Sequence, residues 1–397
     1  MKKHTLPVIV GLWAATVAAA YFAGHNNNAI PAGQGTANPA RSGDARSLGS
    51  DGRGGPITTE TKNAGPWQAG QETGGATTPA RALAAMRAAL DNPNALERTR
   101  AVLAALDNLD SDGMKQAYEM IRAQDDGMAA RMQTMLLMYA WGRKDPEAAL
   151  AFNKENGSER GTFTVLSSWA QVSPDKAIAW AQASANKDDQ GNPSGDNWAM
   201  VGVVNGLVKS DLGKAAQALQ MMNRSNARGE ALDMVLDSMS KSDPAGVREW
   251  VGKIADPVLR EGAAERLGRK LAQSDPSQAA AWVATLPDAA SKSRAAGGVL
   301  EHWAQTDPNA AGEWVKSSFP AGPASDGPRE IFSMMIEGQD PQSALAWAGT
   351  ISDQARREGA MREIARNWVR REGDAARAVL QQTPNLPEAV RAKLQRK

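Results

Sequence analysis

An Asp-Pro dipeptide followed by tryptophan returns at almost constant intervals, and a chain that repeats a phrase folds by repeating a unit. Asp243-Pro244, Asp275-Pro276, Asp307-Pro308 and Asp340-Pro341 lie 32, 32 and 33 residues apart, and Trp250, Trp282, Trp314 and Trp347 each stand seven residues beyond their Asp. Upstream, Asp145-Pro146 leads to Phe152 and Ser173-Pro174 to Trp180, while Trp141, Trp169 and Trp303 stand four residues before an anchor. Degenerate copies begin near Asp112, at Asp211 and near Gly373, and an incomplete first unit covers about residues 79–109.

Each phrase opens a helix. Asp or Ser at an N-cap accepts a hydrogen bond from an otherwise unpaired amide of the first turn, and Pro is favoured at the next position. After Pro276, residues Ala279, Trp282, Val283 and Leu286 recur at helical spacing, and Pro287 ends the stretch. A second apolar stripe, Ala296, Val299, Leu300 and Trp303, runs up to Asp307-Pro308. Each unit is therefore predicted as two short antiparallel helices. Neither can bury its stripe alone, so successive pairs stack with Trp as the wedge between layers. No segment sustains an alternation of period two, so no sheet is expected. The predicted fold is all-α: an α-solenoid of about ten two-helix repeats of 32–34 residues over 79–397.

The six-residue step from Pro to Trp and the period of 32–34 residues resemble the join between tetratricopeptide repeats, and residues 79–397 are similar to the tetratricopeptide and HEAT-like helical repeats as a superfamily. The tetratricopeptide pattern has Leu-Gly three and four residues beyond that aromatic and Tyr seven beyond; this chain has Thr285-Leu286 and Ala289 there. The phrase also resembles the Trp-Ala and Asp-Pro repeats of exported bacterial proteins. These resemblances imply a scaffold for partners. They carry over no binding residue, because the matching positions are core and cap positions.

Ahead of the repeats, Lys2-Lys3 precede an apolar stretch over 5–23. Positive charge followed by apolar residues is the order of an export signal. The stretch approaches the ~20 residues that cross a bilayer as a helix, and Ala18-Ala19-Ala20 offers a small-residue cleavage site. An uncleaved membrane anchor, a cleaved signal peptide and a buried core helix all remain open; the first two place the rest of the chain in the periplasm or another extracytoplasmic space, tethered to the inner membrane or secreted. Residues 24–78 are dominated by Gly, Asn, Ala, Thr, Ser and Pro, with Trp67 the lone large aromatic, and are expected to be a disordered linker.

Composition removes most chemistries. With 45 Lys+Arg against 44 Asp+Glu, no global field draws the chain to nucleic acid. No Cys is present, and the imidazoles are His4, His25 and His302, so thiolate metal sites, Cys nucleophiles, a Ser-His-Asp triad and a two-His metal site are not assembled. No P-loop, GxGxxG or GxSxG occurs. No catalytic, cofactor-binding or metal-ligating residue is assigned, and no cofactor is expected.

Four features stand out as candidate sites. His302, beside Glu301, is read as a partly exposed helix residue rather than a general base. Met128, Met132, Met135 and Met138 recur at helical spacing, the pattern of a core face more than of a Cu(I) site. The interval from Ser173 to Asp211 is 38 residues because of an insertion at 186–197, rich in Asp, Asn and Gly but without EF-hand spacing. An insertion emerges on one face of a repeat array, so it is the first place to seek specificity. Arg228, Arg260 and Arg357 occupy matching places, with Arg160, Arg294 and Arg329 nearby in their units. They are expected to pair with a carbonyl at the end of the preceding helix or with Glu261 or Glu358, or else to form a ladder for acidic peptides or carboxylated glycans.

The expected function is a non-enzymatic protein–protein interaction scaffold in the bacterial cell envelope. The alternative is binding of an envelope polymer, peptidoglycan or polysaccharide, for which exposed Trp is the discriminator. A hydrolase with a carboxylate-based site is the remote third.

Overall fold

A computed structural model describes residues 78–124, 127–156, 159–191, 194–384 and 386–394. The expected anchor or signal peptide (1–23) and the linker up to residue 77, with Trp67, His4 and His25, lie outside the described residues. Among those described, the chain forms twenty α-helices and one 3-10 turn, with no strand. The fold is all-α, a succession of two-helix repeats, as the spacing predicts.

Two compact units divide between Leu137 and Met138. The first holds α1 (Pro79–Leu90), α2 (Ala95–Leu106), α3 (Ser111–Arg122) and the start of α4 (Met128–Lys144). Here α1 packs on α2 and α3 around buried Met86, Val102, Leu106, Met114 and Ile121.

The second unit continues from α4 through α5 (Pro146–Asn156), α6 (Glu159–Val172), α7 (Pro174–Ala183), α8 (Trp198–Ser210), α9 (Leu212–Gln220) and α10 (Asn226–Ser242). It proceeds with α11 (Pro244–Lys253), α12 (Pro257–Ser274), α13 (Pro276–Thr285), α14 (Ala289–Thr306) and α15 (Pro308–Ser318). It closes with α16 (Asp326–Ile336), α17 (Pro341–Gly349), α18 (Gln354–Glu372), α19 (Asp374–Gln382) and α20 (Glu388–Leu394). Short odd-numbered helices alternate with even-numbered ones that are mostly longer. In the middle of this unit each short helix packs against the long helices before and after it, and successive long helices pack on one another.

The Asp of each phrase works at two helix ends at once. The Asp275 amide donates to the Leu271 carbonyl at 2.9 Å and closes α12, while its carboxylate accepts from the Gln278 amide at 3.0 Å and opens α13. Asp211, Asp243, Asp307 and Asp340 accept from the amide three residues on in the same way. Pro, which has no amide to leave unpaired, follows four of these five, and at Asp211, Asp243, Asp275 and Asp307 a single residue separates the two helices. Ser173 departs from the expected capping: its side chain makes no cap hydrogen bond, and α7 relies on Pro174 alone. Asp275→Ala is expected to lower the melting midpoint, whereas Asp275→Asn, which keeps an acceptor oxygen, leaves it nearly unchanged. Equal melting of the two variants would contradict the capping role.

Long helices meet at different distances because one position of the repeat changes. Gly202 in α8, Met234 in α10, Arg266 in α12 and Gly298 in α14 follow one another at intervals of 32 residues. A Cβ on Gly202 would sit 3.1 Å from the Phe163 carbonyl oxygen of α6, and one on Gly298 would overlap the Glu265 carbonyl oxygen of α12. Those pairs of helices touch backbone to backbone. Arg266 occupies the same place in α12, and α10 and α12 pack less closely than α12 and α14.

Candidate functional site

The tryptophans divide by exposure. Trp141, Trp169, Trp282 and Trp368 are buried, the wedges expected of the repeat. Trp180, Trp250, Trp303, Trp314 and Trp347 are half-buried, the last three against the core of the C-terminal repeats. Trp303 and Trp314 are tilted at 5.6 Å, and Phe332 meets Trp347 edge-on at 4.8 Å. Trp198 breaks the expectation that all ten are wedges, with 51% of its surface exposed. It opens α8 directly after the insertion, with no Asp-Pro anchor ahead of it, so the register that buries the others does not apply.

His302 is half-buried on α14, and the adjacent Glu301 is engaged by Arg269. The methionine row is not one uniform core face. Met138 is buried, Met132 and Met135 are half-buried and Met128 is 69% exposed, while the neighbouring Leu136 and Tyr139 are buried. Among the described residues no three His, Cys, Asp or Glu side chains gather where they could hold a metal ion.

The insertion ends in structural contacts. The Asn197 side chain accepts from the Met200 amide at 3.0 Å and donates to the Ala181 carbonyl at 3.0 Å, fastening α8 to the end of α7. Asp196 accepts from the Ala227 amide at 2.8 Å, so its carboxylate sits on the N-terminus of α10 in the next repeat.

The arginines of matching register mostly have partners in the fold. Arg260 donates through Nη1 to the Ile254 carbonyl at 2.6 Å and through Nε to Asp288 at 3.0 Å and Ser291 Oγ at 3.2 Å. Arg357 donates to the Ile351 carbonyl at 2.7 Å, and Arg98, which the sequence comparison passed over, to the Asn92 carbonyl at 2.6 Å. In each case the fourth residue of a helix fastens the turn before it. Buried Arg329 donates to the Phe319 carbonyl and to Thr350 Oγ1, and lies 5.6 Å from the Trp347 ring centre. Arg160 is exposed. Of the expected glutamate partners, Glu261 does pair with one of these arginines, Arg294, while Glu358 accepts from Gln354 and not from an arginine, and Arg228 and Arg260 reach instead to Asp256 and Asp288, the N-caps of the following long helices.

Where α10 and α12 stand apart, a groove of about 310 Å³ opens. Its walls are Arg224 just before α10, Arg228 and Leu232 from its first turns, and Val258, Glu261, Glu265 and Arg266 from α12, with Arg294 reaching in from α14. A second hollow, lined by Gly195, Asp196, Arg224, Ser225 and Asn226, shares Arg224 and Ser225 with the groove, so the end of the insertion continues its rim. Exposed Val258 lies within the groove, and Trp198 and Met221 stand within three residues of Asp196 and Arg224 in the chain. Arg266 is neutralised by Asp233 at 2.8 Å, and Arg294 only loosely by Glu261 at 3.7 Å.

Cap carboxylates make the stack sensitive to acid. The Arg228 guanidinium, with the amides of Leu259 and Val258, holds Asp256 below the usual carboxylate range. Burial pushes Asp288 and Asp326 up, but hydrogen bonds outweigh it and leave both below that range: from Ser291 and Arg260 to Asp288, and from the Ser352 and Asp353 amides to Asp326. A carboxyl depressed by folding contributes stability that is complete above its unfolded pKa and is lost as pH falls through the folded one. The melting midpoint is therefore expected to hold between pH 7 and 5 and to fall below about pH 4. A fall centred between pH 7 and 5 would contradict the assignment.

No protein-family model and no curated protein matches the chain in sequence. Among solved structures, the crystal structure of Ton1535 from Thermococcus onnurineus NA1 aligns over 78% of this chain and 92% of that one, at 13% identity and a TM-score of 0.27, too distant a likeness to carry an argument.

Proposed function

We propose that the chain is a non-enzymatic scaffold of the bacterial cell envelope, related to the tetratricopeptide and HEAT-like repeats and to the exported Trp-Ala and Asp-Pro repeat proteins, and that it binds another protein. The observation that carries the reading is the pair of adjoining hollows from the insertion across the N-terminus of α10 to α12, where exposed Val258 and Arg224 stand beside buried Arg228. Repeat arrays present partners with surface of this kind, a rigid stack with a departure from the repeat at one place. Placement outside the cytoplasm follows from the order of charge and apolar residues at 1–23. Among the described residues no helix is long and apolar enough to cross a membrane, so a tether would fall to that segment.

A photocrosslinking residue in place of Asp189, in living cells, is expected to give a discrete protein adduct that the same residue at Glu249 on α11 does not give. Absence of any protein adduct would overturn the reading. N-terminal sequencing after cell fractionation decides between anchor and cleaved signal, and recovery with the cytosol would refute export. Exposed Trp198 favours a second reading, stacking on an envelope polysaccharide. Trp198→Ala abolishing retention on peptidoglycan or polysaccharide would establish it over the first.

A further inference from the structure

Building on the scaffold reading, we propose that the groove between α10 and α12 receives a carboxylate-bearing peptide segment of the partner, held by Arg224 and Arg228.

Arg228 is only 7% exposed and lines the groove. One of its terminal nitrogens reaches Asp256, but its buried Nε finds no acceptor in the protein. A buried donor left without a partner is costly, so its retention calls for an acceptor that arrives from outside. The next repeat shows what is missing. Arg260 and Asp288 repeat the pair Arg228 and Asp256 at an interval of 32 residues, and there Nε donates both to Asp288 at 3.0 Å and to the Ser291 hydroxyl at 3.2 Å. The residue in the place of Ser291 is Leu259, which supplies none.

Charge and shape point to the same occupant. Exposed Arg224, on the rim common to both hollows, makes no ion pair with the described residues. The N-terminus of the seventeen-residue α10 lies beside it, and the chain already docks one carboxylate there, that of Asp196. Guanidinium groups bind carboxylates by paired, charge-assisted hydrogen bonds. Exposed Val258 offers apolar contact, and no aromatic ring lines the groove, which suits alternating aliphatic and acidic side chains of a peptide better than a sugar ring.

The test is fluorescence anisotropy of the full chain with a fluorescein-labelled peptide in which Val alternates with Glu. The peptide is expected to bind at least about tenfold more tightly than its Gln-for-Glu counterpart, and Arg224→Gln to weaken it about tenfold. Leu259→Ser, which installs the internal acceptor and leaves both arginines in place, is expected to weaken it as well, with circular dichroism confirming the fold; Arg224→Gln carries the test if that variant unfolds. Equal binding of the two peptides, undiminished binding by Arg224→Gln, or binding of polygalacturonate with neither peptide bound would overturn the proposal. In cells, loss of the Asp189 adduct on Arg224→Gln supports the carboxylate site; an adduct that survives Arg224→Gln refutes that site and leaves the scaffold reading standing, whereas absence of any protein adduct with Arg224 intact refutes the scaffold reading itself.

Discussion

Trp282→Ala is expected to destabilise the second unit by about 3–5 kcal/mol, the range for truncating a large buried side chain that leaves a cavity. The ring is 5% exposed, on a helix whose remaining core residues, Ala279, Ala280 and Val283, are too small to close over the space. Trp282→Phe should cost far less, about 1.5 kcal/mol or below. The indole Nε1 is buried without an acceptor, so removing it sheds a penalty along with the contact area. Trp198→Ala is expected to stay within about 0.5 kcal/mol, because that ring is 51% exposed. Urea unfolding of the three variants measures the order, and hydrogen exchange localises the loss. In a repeat array stability is shared between neighbours, so protection should fall in α12 to α15 and hold in α6. A loss below about half a kcal/mol for Trp282→Ala would remove the ring from the core.

The contrast between these rings shows what was legible in the sequence. Local interactions were readable because their partners lie within one turn. Asp275 caps an amide three residues away, and Ala279, Trp282 and Val283 share a stripe by helical period alone. The arginines were half legible: their common register could be counted, and their hold on preceding carbonyls follows from a spacing of six residues, as in Arg260 to Ile254. Their bond to the next repeat, as in Arg260 to Asp288, spans 28 residues and depends on how repeats stack, so nothing local shows that Arg260 passes over the adjacent Glu261, which pairs with Arg294 of the next repeat. The insertion was visible as extra length, yet its attachment through Asp196 to α10 was not, because an Asp among glycines looks the same whether it caps a distant helix or faces water. The groove had no signal of its own. It arises from a substitution in the repeat, Arg266 where neighbouring repeats have Gly298 and, two repeats earlier, Gly202, and only the packing reveals what that position does.

That position carries the second large effect. Ala in place of Gly within a helix normally stabilises it by up to about 1 kcal/mol, through propensity and a less flexible unfolded chain. At Gly359, where an added Cβ meets nothing, Gly359→Ala is expected to show this gain. At Gly298 the sign reverses. The new Cβ would overlap the Glu265 carbonyl oxygen and approach the Arg269 nitrogen to 2.9 Å, and both atoms are helix backbone that cannot rotate aside. The partner helix presses back, since a Cβ on Gly268 would come 2.6 Å from the Ala295 carbonyl oxygen. Room for one methyl group requires α12 and α14 to separate along their contact, with loss of the dispersion that their closeness provides. Gly298→Ala is therefore expected to cost about 2 kcal/mol net and Gly298→Val about 3 kcal/mol or more, the upper part of the range for overpacking. Chemical denaturation of the two alanine variants in parallel decides the matter, because the propensity term is common to both. A neutral or stabilising Gly298→Ala would mean that the long helices do not touch there. The reversal in turn explains the groove: α12 bears Arg266 in the register of Gly298, so α10 is held off, and the space that the glycines close elsewhere is left open beside Arg228.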